Sequence, residues 1–321
     1  MKKYALILSL FFTISALLSG CGQGETANKE KDENLLQVYT TVYPLQYFTQ
    51  QIGGEFVDVK TIYPPGADEH TFEPSQKDMM ALADADLFFY IGLGLEGFVD
   101  KAGKTLKNED VKMVPVGDSL HIGEEGSGEQ EDHGEDEHAD GDGHAHGDID
   151  PHVWLDPIYA NELALTIKDQ LVEQMPEQKD AFEKNYSDLA AQLKGLDKEF
   201  TEVIGTAKRK EIIVAHAAYS YWEKRYGLEQ ISISGLSTTN EPTQKELQKL
   251  ISHARDEKIK YVLNEQNFNS KLAKMVQEEI NGKPLSLHNL SVLTDEDIKN
   301  KETYFSLMEK NLSTLGKALN E

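Results

Sequence analysis

The chain has 321 residues, enough for a large apolar core and for two domains. Hydrophobic residues make up 39% and charged residues 27% of the sequence, proportions typical of a soluble globular protein. The net charge of −24 argues against a nucleic-acid-binding protein, because phosphate contacts require clustered Lys and Arg. An acidic surface alone is also explained by solubility. The single cysteine excludes a disulfide within the chain.

The N-terminus predicts export and membrane anchoring. Two lysines precede an apolar segment, Tyr4–Leu18, which ends in Leu18-Ser-Gly-Cys21. An apolar segment of about 15 residues is too short to span a bilayer as a mature helix and is typical of a signal peptide. The small residues before Cys21 resemble a bacterial lipoprotein signal, which implies cleavage before that cysteine and lipidation of its thiol. We expect residues 1–20 to be the signal peptide and 21–35 a disordered tether. The alternative is an ordinary secretory peptide with a free cysteine.

The following part of the sequence alternates strand-like and helix-like segments. Apolar and β-branched runs predict strands at Leu36–Val42, Val57–Tyr63, Asp86–Ile91 and Lys112–Val116. Helical spacing and end signals predict helices at Pro44–Gly53, from Glu73 through Leu82, and at Leu95–Leu106. A β-α-β-α order predicts a parallel sheet with helices on its faces, the α/β class. We assign residues 36–175 to an N-terminal β/α lobe.

An acidic, histidine-rich loop interrupts this lobe at residues 118–149. The chain carries no Lys or Arg between Lys112 and Lys168, while carboxylates and imidazoles are frequent in the loop. Both groups bind divalent cations, although a disordered segment must be ordered to chelate, which weakens binding. We expect a low-affinity metal-collecting loop; a merely solvating linker is the alternative. The candidate secondary metal-binding residues are His133, His138, His144 and His146.

A long helix is predicted between two β/α regions, over residues 176–205. Its inner face repeats at helical spacing through Phe182, Tyr186, Leu189, Leu193, Leu196 and Phe200. At about 1.5 Å per residue the helix is roughly 40 Å long, and we predict that it joins two lobes as a strut. A helix packed within one lobe is the alternative. Residues 206–321 repeat the alternation, with strands expected at Glu211–Ala215, Leu228–Ser234, Lys260–Asn264 and Pro284–Leu287.

Three histidines lie where predicted segments leave the sheets. His70 follows the second strand through a Pro-Gly turn, His216 directly follows the strand ending at Ala215, and His152 follows the acidic loop. Ligands of open α/β sheets bind at the carboxyl ends of the strands, so the three imidazoles are expected to converge on a cleft. Imidazole suits zinc, which takes four N or O ligands in a tetrahedron. A lone histidine is more often a packing residue, but three in these positions predict a metal site.

Three segments carry a family resemblance. They are Gly66-Ala-Asp-Glu-His-Thr-Phe-Glu-Pro74, Asp150-Pro-His-Val-Trp-Leu-Asp-Pro157 and Val214-Ala-His-Ala-Ala-Tyr-Ser-Tyr-Trp222. They resemble the metal-binding motifs of solute-binding lipoproteins of bacterial metal ABC transporters, zinc branch (the ZnuA/AdcA type). The resemblance runs from Gln37 to the C-terminus. It implies two β/α sandwich lobes joined by one long rigid helix, with a metal site in the cleft between them. It also implies that His70, His152 and His216 are the ligands.

The fourth metal ligand is where the sequence departs from the family. Many zinc-branch members carry a glutamate in a late segment that corresponds here to Leu287–Thr294, and Ser291 replaces it. A neutral hydroxyl is a poor zinc ligand. The resemblance leaves Glu69, as in some relatives, or a water molecule as the fourth ligand. His288 is a weaker substitute, and Glu265, which matches a glutamate common in the family, is expected to have a structural role.

The donor set also predicts the metal and the groups that support it. The manganese branch of the family replaces the third histidine by glutamate, whereas His216 is present here. A nitrogen-rich site favours zinc over the harder manganese ion. Ligating imidazoles usually donate their other N–H to a carboxylate, and the candidates for that role, or for a structural one, are Asp150, Asp156 and Glu73.

The resemblance implies an extracytoplasmic protein that captures Zn²⁺ and delivers it to an ABC permease with its ATPase. The zinc is the transported ligand, and the membrane is reached through the lipid on Cys21. A manganese-binding member of the same family is the alternative. From other classes, three histidines plus water also form the site of a zinc hydrolase, and a lipoprotein anchor permits a surface adhesin. No general base, substrate pocket or His-Glu-x-x-His motif is apparent, so we expect no enzyme.

Overall fold

Two parallel four-stranded sheets organise the chain. The first has the order β2-β1-β3-β4 and the second has the order β6-β5-β7-β8. All neighbouring strands are parallel, so each lobe is the predicted β/α alternation. The strands are β1 Leu36–Thr40, β2 Val57–Thr61, β3 Leu87–Tyr90, β4 Lys112–Pro115, β5 Glu211–Val214, β6 Glu229–Ser232, β7 Tyr261–Asn264 and β8 Lys283–Ser286.

This computed structural model describes residues 35–122, 149–266 and 270–321. Outside these ranges lie the predicted signal peptide, most of the tether and the core of the acidic loop, and with them the residues Cys21, His133, His138, His144 and His146. Within the described ranges, no helix is both long and apolar enough to cross a membrane.

Ten α-helices connect and cover the sheets in the described part of the chain. They are α1 Tyr43–Gly53, α2 Gln76–Ala83, α3 Val99–Leu106, α4 Pro157–Gln174, α5 Lys179–Gly205, α6 Ser220–Tyr226, α7 Gln244–Asp256, α8 Lys271–Glu279, α9 Asp295–Asn300 and α10 Tyr304–Asn320. The predicted capping box at Thr243 is present, with its hydroxyl accepting from the Glu246 N–H. The helix predicted from Leu95 instead begins at Val99, after a segment in which Gly92, Leu93 and Gly94 adopt positive φ angles.

The predicted long helix is α5, which begins three residues after Pro176 because a 3₁₀ turn, Pro176–Gln178, precedes it. Its 27 residues extend roughly 40 Å. Its buried face consists of Phe182, Leu189, Leu193, Leu196, Phe200 and Ile204. The helix packs against α1 and α4 of the first lobe and against α6 and α10 of the second. It therefore contacts helices of both lobes, as the strut hypothesis predicted.

One apolar core runs through both lobes. It contains residues of the first sheet and of the second, for example Phe88 and Ile212, together with the inner face of α5. A smaller cluster around Val262 and Val276 lies under α7 and α8 in the second lobe. Because the lobes share a core, opening them would expose buried apolar surface, at a cost of about 25 cal/mol per Å². The fold therefore favours a fixed cleft.

Candidate metal site

The loop after β2 brings His70 to the cleft. Asp68 shapes it, since its Oδ1 accepts from the backbone N–H groups of His70 at 3.0 Å and Thr71 at 3.1 Å. Its Oδ2 accepts from the Thr238 hydroxyl at 2.8 Å, in the loop that follows β6. Such short polar side chains stabilise turns by bonding the next backbone groups. One aspartate thus both forms the His70 turn and ties it to the second lobe.

His152 is fully buried, and Asp150 holds it. The Oδ1 of Asp150 accepts from the backbone N of His152 at 2.9 Å and contacts its Nδ1 at 2.7 Å. The first turn of α6 fixes Asp150 in turn: the Ser220 hydroxyl donates to its Oδ2 and the Tyr221 hydroxyl to its backbone O. The Asp150 pKa is lowered, because hydrogen bonds from His152 and Ser220 outweigh the effect of burial. This is the support predicted for Asp150.

His216 lies two residues after β5 and is also fully buried. Its Nδ1 contacts a carboxylate oxygen of Glu265, which itself follows β7. Burial lowers the His216 pKa, but the charges of Glu265, Glu69 and Asp150 outweigh it, and the net shift is upward. Glu265 thus lies behind His216, on the side of the ring away from His152.

Four side chains come together at the carboxyl ends of the strands. Glu69, His70, His152 and His216 each present a donor atom, and these atoms lie within 4.8 Å of one another. The Nε2 of His70 is buried and has no hydrogen-bond partner. Burial, followed by the neighbouring imidazoles, lowers the His70 pKa to about 3. His70 is therefore neutral at pH 7, with a nitrogen lone pair available to a cation.

The two buried imidazoles face each other in an unusual way. The Nε2 atoms of His152 and His216 are 3.2 Å apart. Each Nδ1 contacts a carboxylate oxygen, which accepts when ionised, so each Nδ1 carries a proton and the Nε2 atoms face each other. A cation bound between the two Nε2 atoms would accept a lone pair from each ring and would displace any proton there.

Glu69, and not the other candidates, is the carboxylate in the cluster. It is 5% exposed, and burial, then the charge of Glu265, raises its pKa. Ser291 donates its hydroxyl to Asn289 instead of facing the histidines. His288 accepts from the N–H of Leu290 and lies 3.2 Å from an Asp297 oxygen, outside the cluster. The carboxylate that lies with the three histidines therefore comes from the loop after β2 and not from the segment that contains Ser291.

The remaining predicted support residues have other positions. Asp156 accepts from the first N–H groups of α4 and pairs with Arg225, and burial outweighs that pairing to raise its pKa. Glu73 is exposed, at the start of a surface groove beside α2 and α3. Sequence patterns did not indicate that Asn289 or the first turn of α6 contacts the histidine cluster. The only signal for Ser220 and Tyr221 was their place shortly after His216 in the same segment.

These features define a class: an α/β binding protein with two lobes, a fixed cleft and a buried cluster of imidazoles and carboxylate able to hold a divalent cation. Within that class the family is clear. Residues 38–318 match the family model of ZnuA, zinc-uptake complex component A, periplasmic, and the chain belongs to that family. The family consists of transport-complex components and is not an enzyme family.

Several known proteins are similar along most of the chain. The zinc-binding lipoprotein AdcA of Streptococcus pneumoniae is 36% identical over 98% of this chain, which spans only 60% of AdcA. The high-affinity zinc uptake system protein ZnuA of Bacillus subtilis is 35% identical, and the match covers 96% of both chains. The crystal structure of the Zn(II)-bound ZnuA-like domain of S. pneumoniae AdcA superposes with a TM-score of 0.72 and 35% identity. It covers 89% of this chain and all of that domain.

Proposed function

We propose that this protein captures Zn²⁺ outside the cytoplasmic membrane and delivers it to an ABC permease for import. The proposed ligands are His70, His152 and His216, with Glu69 as the fourth. The observation that carries the proposal is the pair of imidazole Nε2 atoms that face each other at 3.2 Å, with a third, unpartnered imidazole nitrogen beside them. Zinc is the substrate of the process and not a resident cofactor.

The donor types favour zinc over manganese. Three imidazoles, which are borderline donors, and one carboxylate make four ligands, a number that suits a tetrahedron. Mn²⁺ is better served by more oxygen donors and a higher coordination number. The names of the similar proteins, which describe zinc binding and zinc uptake, support the same metal.

The proposed membrane anchor and domain organisation fit a protein that carries zinc to a permease. The proposed lipid on Cys21 keeps the protein at the outer face of the membrane, next to a permease that works with an ATPase. The proposed lobes are residues 36–175 and 206–321, with 176–205 as the linking helix between them. The proposed secondary histidines (His133, His138, His144 and His146) collect zinc at low affinity and transfer it to the cleft.

A competition titration tests the proposal. The purified protein is expected to bind one Zn²⁺ tightly and Mn²⁺ much more weakly. His152→Ala should abolish tight binding, because it removes a fully buried nitrogen donor. His253→Ala is the matched control, since His253 is a surface histidine paired with Glu211. Tighter binding of Mn²⁺ than of Zn²⁺, or undiminished zinc binding by His152→Ala, would overturn the proposal.

The transport step has its own test. Cells that depend on this protein should fail to grow when zinc is chelated if His152 is replaced, and should recover with added zinc. Deleting residues 123–147 should leave the affinity of the main site nearly intact but slow growth under zinc limitation. Unchanged zinc uptake by the deletion variant would count against the collecting role of the loop.

A further inference from the structure

A buried asparagine connects the groups of the metal site. Asn289 is 4% exposed and follows β8. Its Nδ2 donates to Glu69 Oε1 at 3.0 Å and to Glu265 Oε2 at 2.8 Å. Its Oδ1 accepts from the Nε2 of Gln266 at 3.0 Å and from the N and Oγ of Ser291 at 3.0 and 2.9 Å. One amide thus bridges the carboxylates of two lobes.

The surroundings determine which way this amide points. The backbone N–H of Ser291 can only donate, so the atom that it contacts must be the amide oxygen. The two N–H groups of Asn289 then face Glu69 and Glu265, which can only accept when ionised. A flipped amide would place its oxygen against two carboxylates and its N–H₂ against a donor. The contacts therefore exclude the flipped orientation.

The backbone around Asn289 is also held firmly. The next residue, Leu290, is fully buried and has a φ of 60°, an arrangement that costs a non-glycine residue about 1–2 kcal/mol. The Nδ1 of His288 accepts from the Leu290 N–H at 2.9 Å. Asn311 bonds both the N–H and the carbonyl of His288, each at 2.8 Å. Strain of this kind persists only where the surroundings over-determine the backbone.

The main chain of Asn289 reaches a third member of the site. Its carbonyl accepts from the indole Nε1 of Trp154 at 2.7 Å, and the Trp154 ring lies 5.3 Å from the His152 ring. Asn289 is thus linked directly to Glu69, through Glu265 to His216, and through Trp154 to the segment that carries His152.

We propose that Asn289, locked by Ser291, is a positioning residue that holds Glu69 as the fourth metal ligand. The inference rests on the proposed zinc-binding function. Two buried carboxylates repel each other, and an amide that donates to both reduces that repulsion while fixing their separation. A carboxylate has about four lone-pair sites, so Glu69 can accept from Asn289 and still bind a metal. Ser291 thus replaces the late carboxylate of other members by securing a carboxylate from the first lobe.

A double-mutant cycle tests the coupling. Loss of a group that orients a metal ligand typically weakens metal affinity about 10- to 100-fold, and we expect this of Asn289→Ala. Glu69→Ala should weaken binding at least as much. The double variant should lose much less than the product of the two single losses, because Asn289 acts through Glu69. Multiplicative losses would overturn the inference. Asn185→Ala, which removes a hydrogen bond to Ile52 away from the cluster, should leave affinity unchanged.

Cobalt gives a second readout that folding effects alone do not reproduce. Co²⁺ in place of Zn²⁺ reports ligand number and type through its visible absorption. Asn289→Ala and Glu69→Ala should shift the bands in the same way, while the Asn185→Ala spectrum should match that of the native protein. A native-like Asn289→Ala spectrum would overturn the inference.

Conservative substitutions at Ser291 provide a test if the Asn289→Ala protein does not fold. Ser291→Ala removes one of the three donors to the amide oxygen of Asn289 and should weaken zinc binding several-fold, whereas Ser291→Thr keeps a hydroxyl and should retain more affinity. Equal affinity for native, Ser291→Ala and Asn289→Ala proteins, with binding still abolished by His152→Ala, would overturn the inference and leave the proposed function intact. A native protein that binds no zinc would overturn both.

Discussion

The two halves of the proposed metal site are held in different ways. His152 and His216 are fully buried, and each has a carboxylate on its Nδ1 that is fixed by further hydrogen bonds. His70 is partly exposed, its Nε2 has no partner, and its loop is tied to the second lobe by Asp68 and Thr238. The comparison indicates a rigid pair of imidazoles and a third that can adjust. Metal entry and release are then expected to involve the His70 loop and not the lobes.

The largest effect should come from breaking the ion pair between Arg225 and Asp156, which ties α6 to the end of the segment that carries His152. Arg225 on α6 pairs with Asp156, whose side chain is 1% exposed. Arg225→Ala leaves this buried carboxylate unpaired and should destabilise the apo protein by about 3 kcal/mol, measured by chemical denaturation. Adding Asp156→Asn, which removes the stranded charge but keeps a capping side chain, should recover part of the loss. An Arg225→Ala protein as stable as the native one would contradict the role of this anchor.

A smaller loss should follow from releasing His152 without removing it. Asp150→Asn keeps the size of the side chain but weakens the bond to His152 Nδ1 and allows the wrong tautomer. Zinc affinity should fall about 10- to 100-fold, measured by competition with a chromophoric chelator. Asp58→Asn, at an exposed carboxylate paired with Lys60, serves as the control. Native affinity in Asp150→Asn would show that the rigid half does not depend on this carboxylate.

In the absence of metal, replacing His70 should affect the stability of the protein much less than replacing a buried histidine of the rigid pair. A buried polar atom without a partner costs about 1–3 kcal/mol, so His70→Ala should lose zinc binding without the large loss of stability expected of a core histidine. In apo protein the unfolding free energy of His70→Ala should be close to the native value, while that of His216→Ala should be clearly lower. Equal destabilisation by the two substitutions would remove the distinction between the halves.

The smallest effect should come from loosening the adjustable half. Thr238→Ala removes the hydroxyl that ties Asp68 to the second lobe, while Thr238→Ser keeps it. We expect Thr238→Ala to weaken zinc binding only a few-fold and mainly to speed zinc dissociation, measured by stopped-flow mixing with a chelator. Identical dissociation rates for the alanine, serine and native proteins would argue that the loop is not what limits release.

Local patterns were enough to predict much of the fold. Alternating apolar runs predicted the strands, and the spacing from Phe182 to Phe200 predicted α5, because both signals reflect which face is buried. The start of α3 was predicted four residues early, and the segment before it contains a turn with a positive φ at Leu93. Apolar spacing does not reveal such a turn.

The site was predictable only where the chemistry lies within one segment. Asp150 and His152 are two residues apart and share a motif, so their pairing could be expected. Glu69 and Asn289 are 220 positions apart, and no local feature of either residue indicates the other. Asparagine and serine are also common in loops for other reasons. The sequence therefore showed only that Ser291 replaces a carboxylate found in other members, and not that it contacts Asn289.

The shared apolar core has a consequence for the heat of zinc binding. A protein that closes over its ligand buries apolar surface and shows a negative heat-capacity change. Here Phe88, Ile212 and the inner face of α5 already belong to one core. Binding should therefore change the heat capacity very little, and its enthalpy should be nearly the same in the cold as at body temperature. An organism at varying temperature would then keep a nearly constant enthalpy of zinc capture.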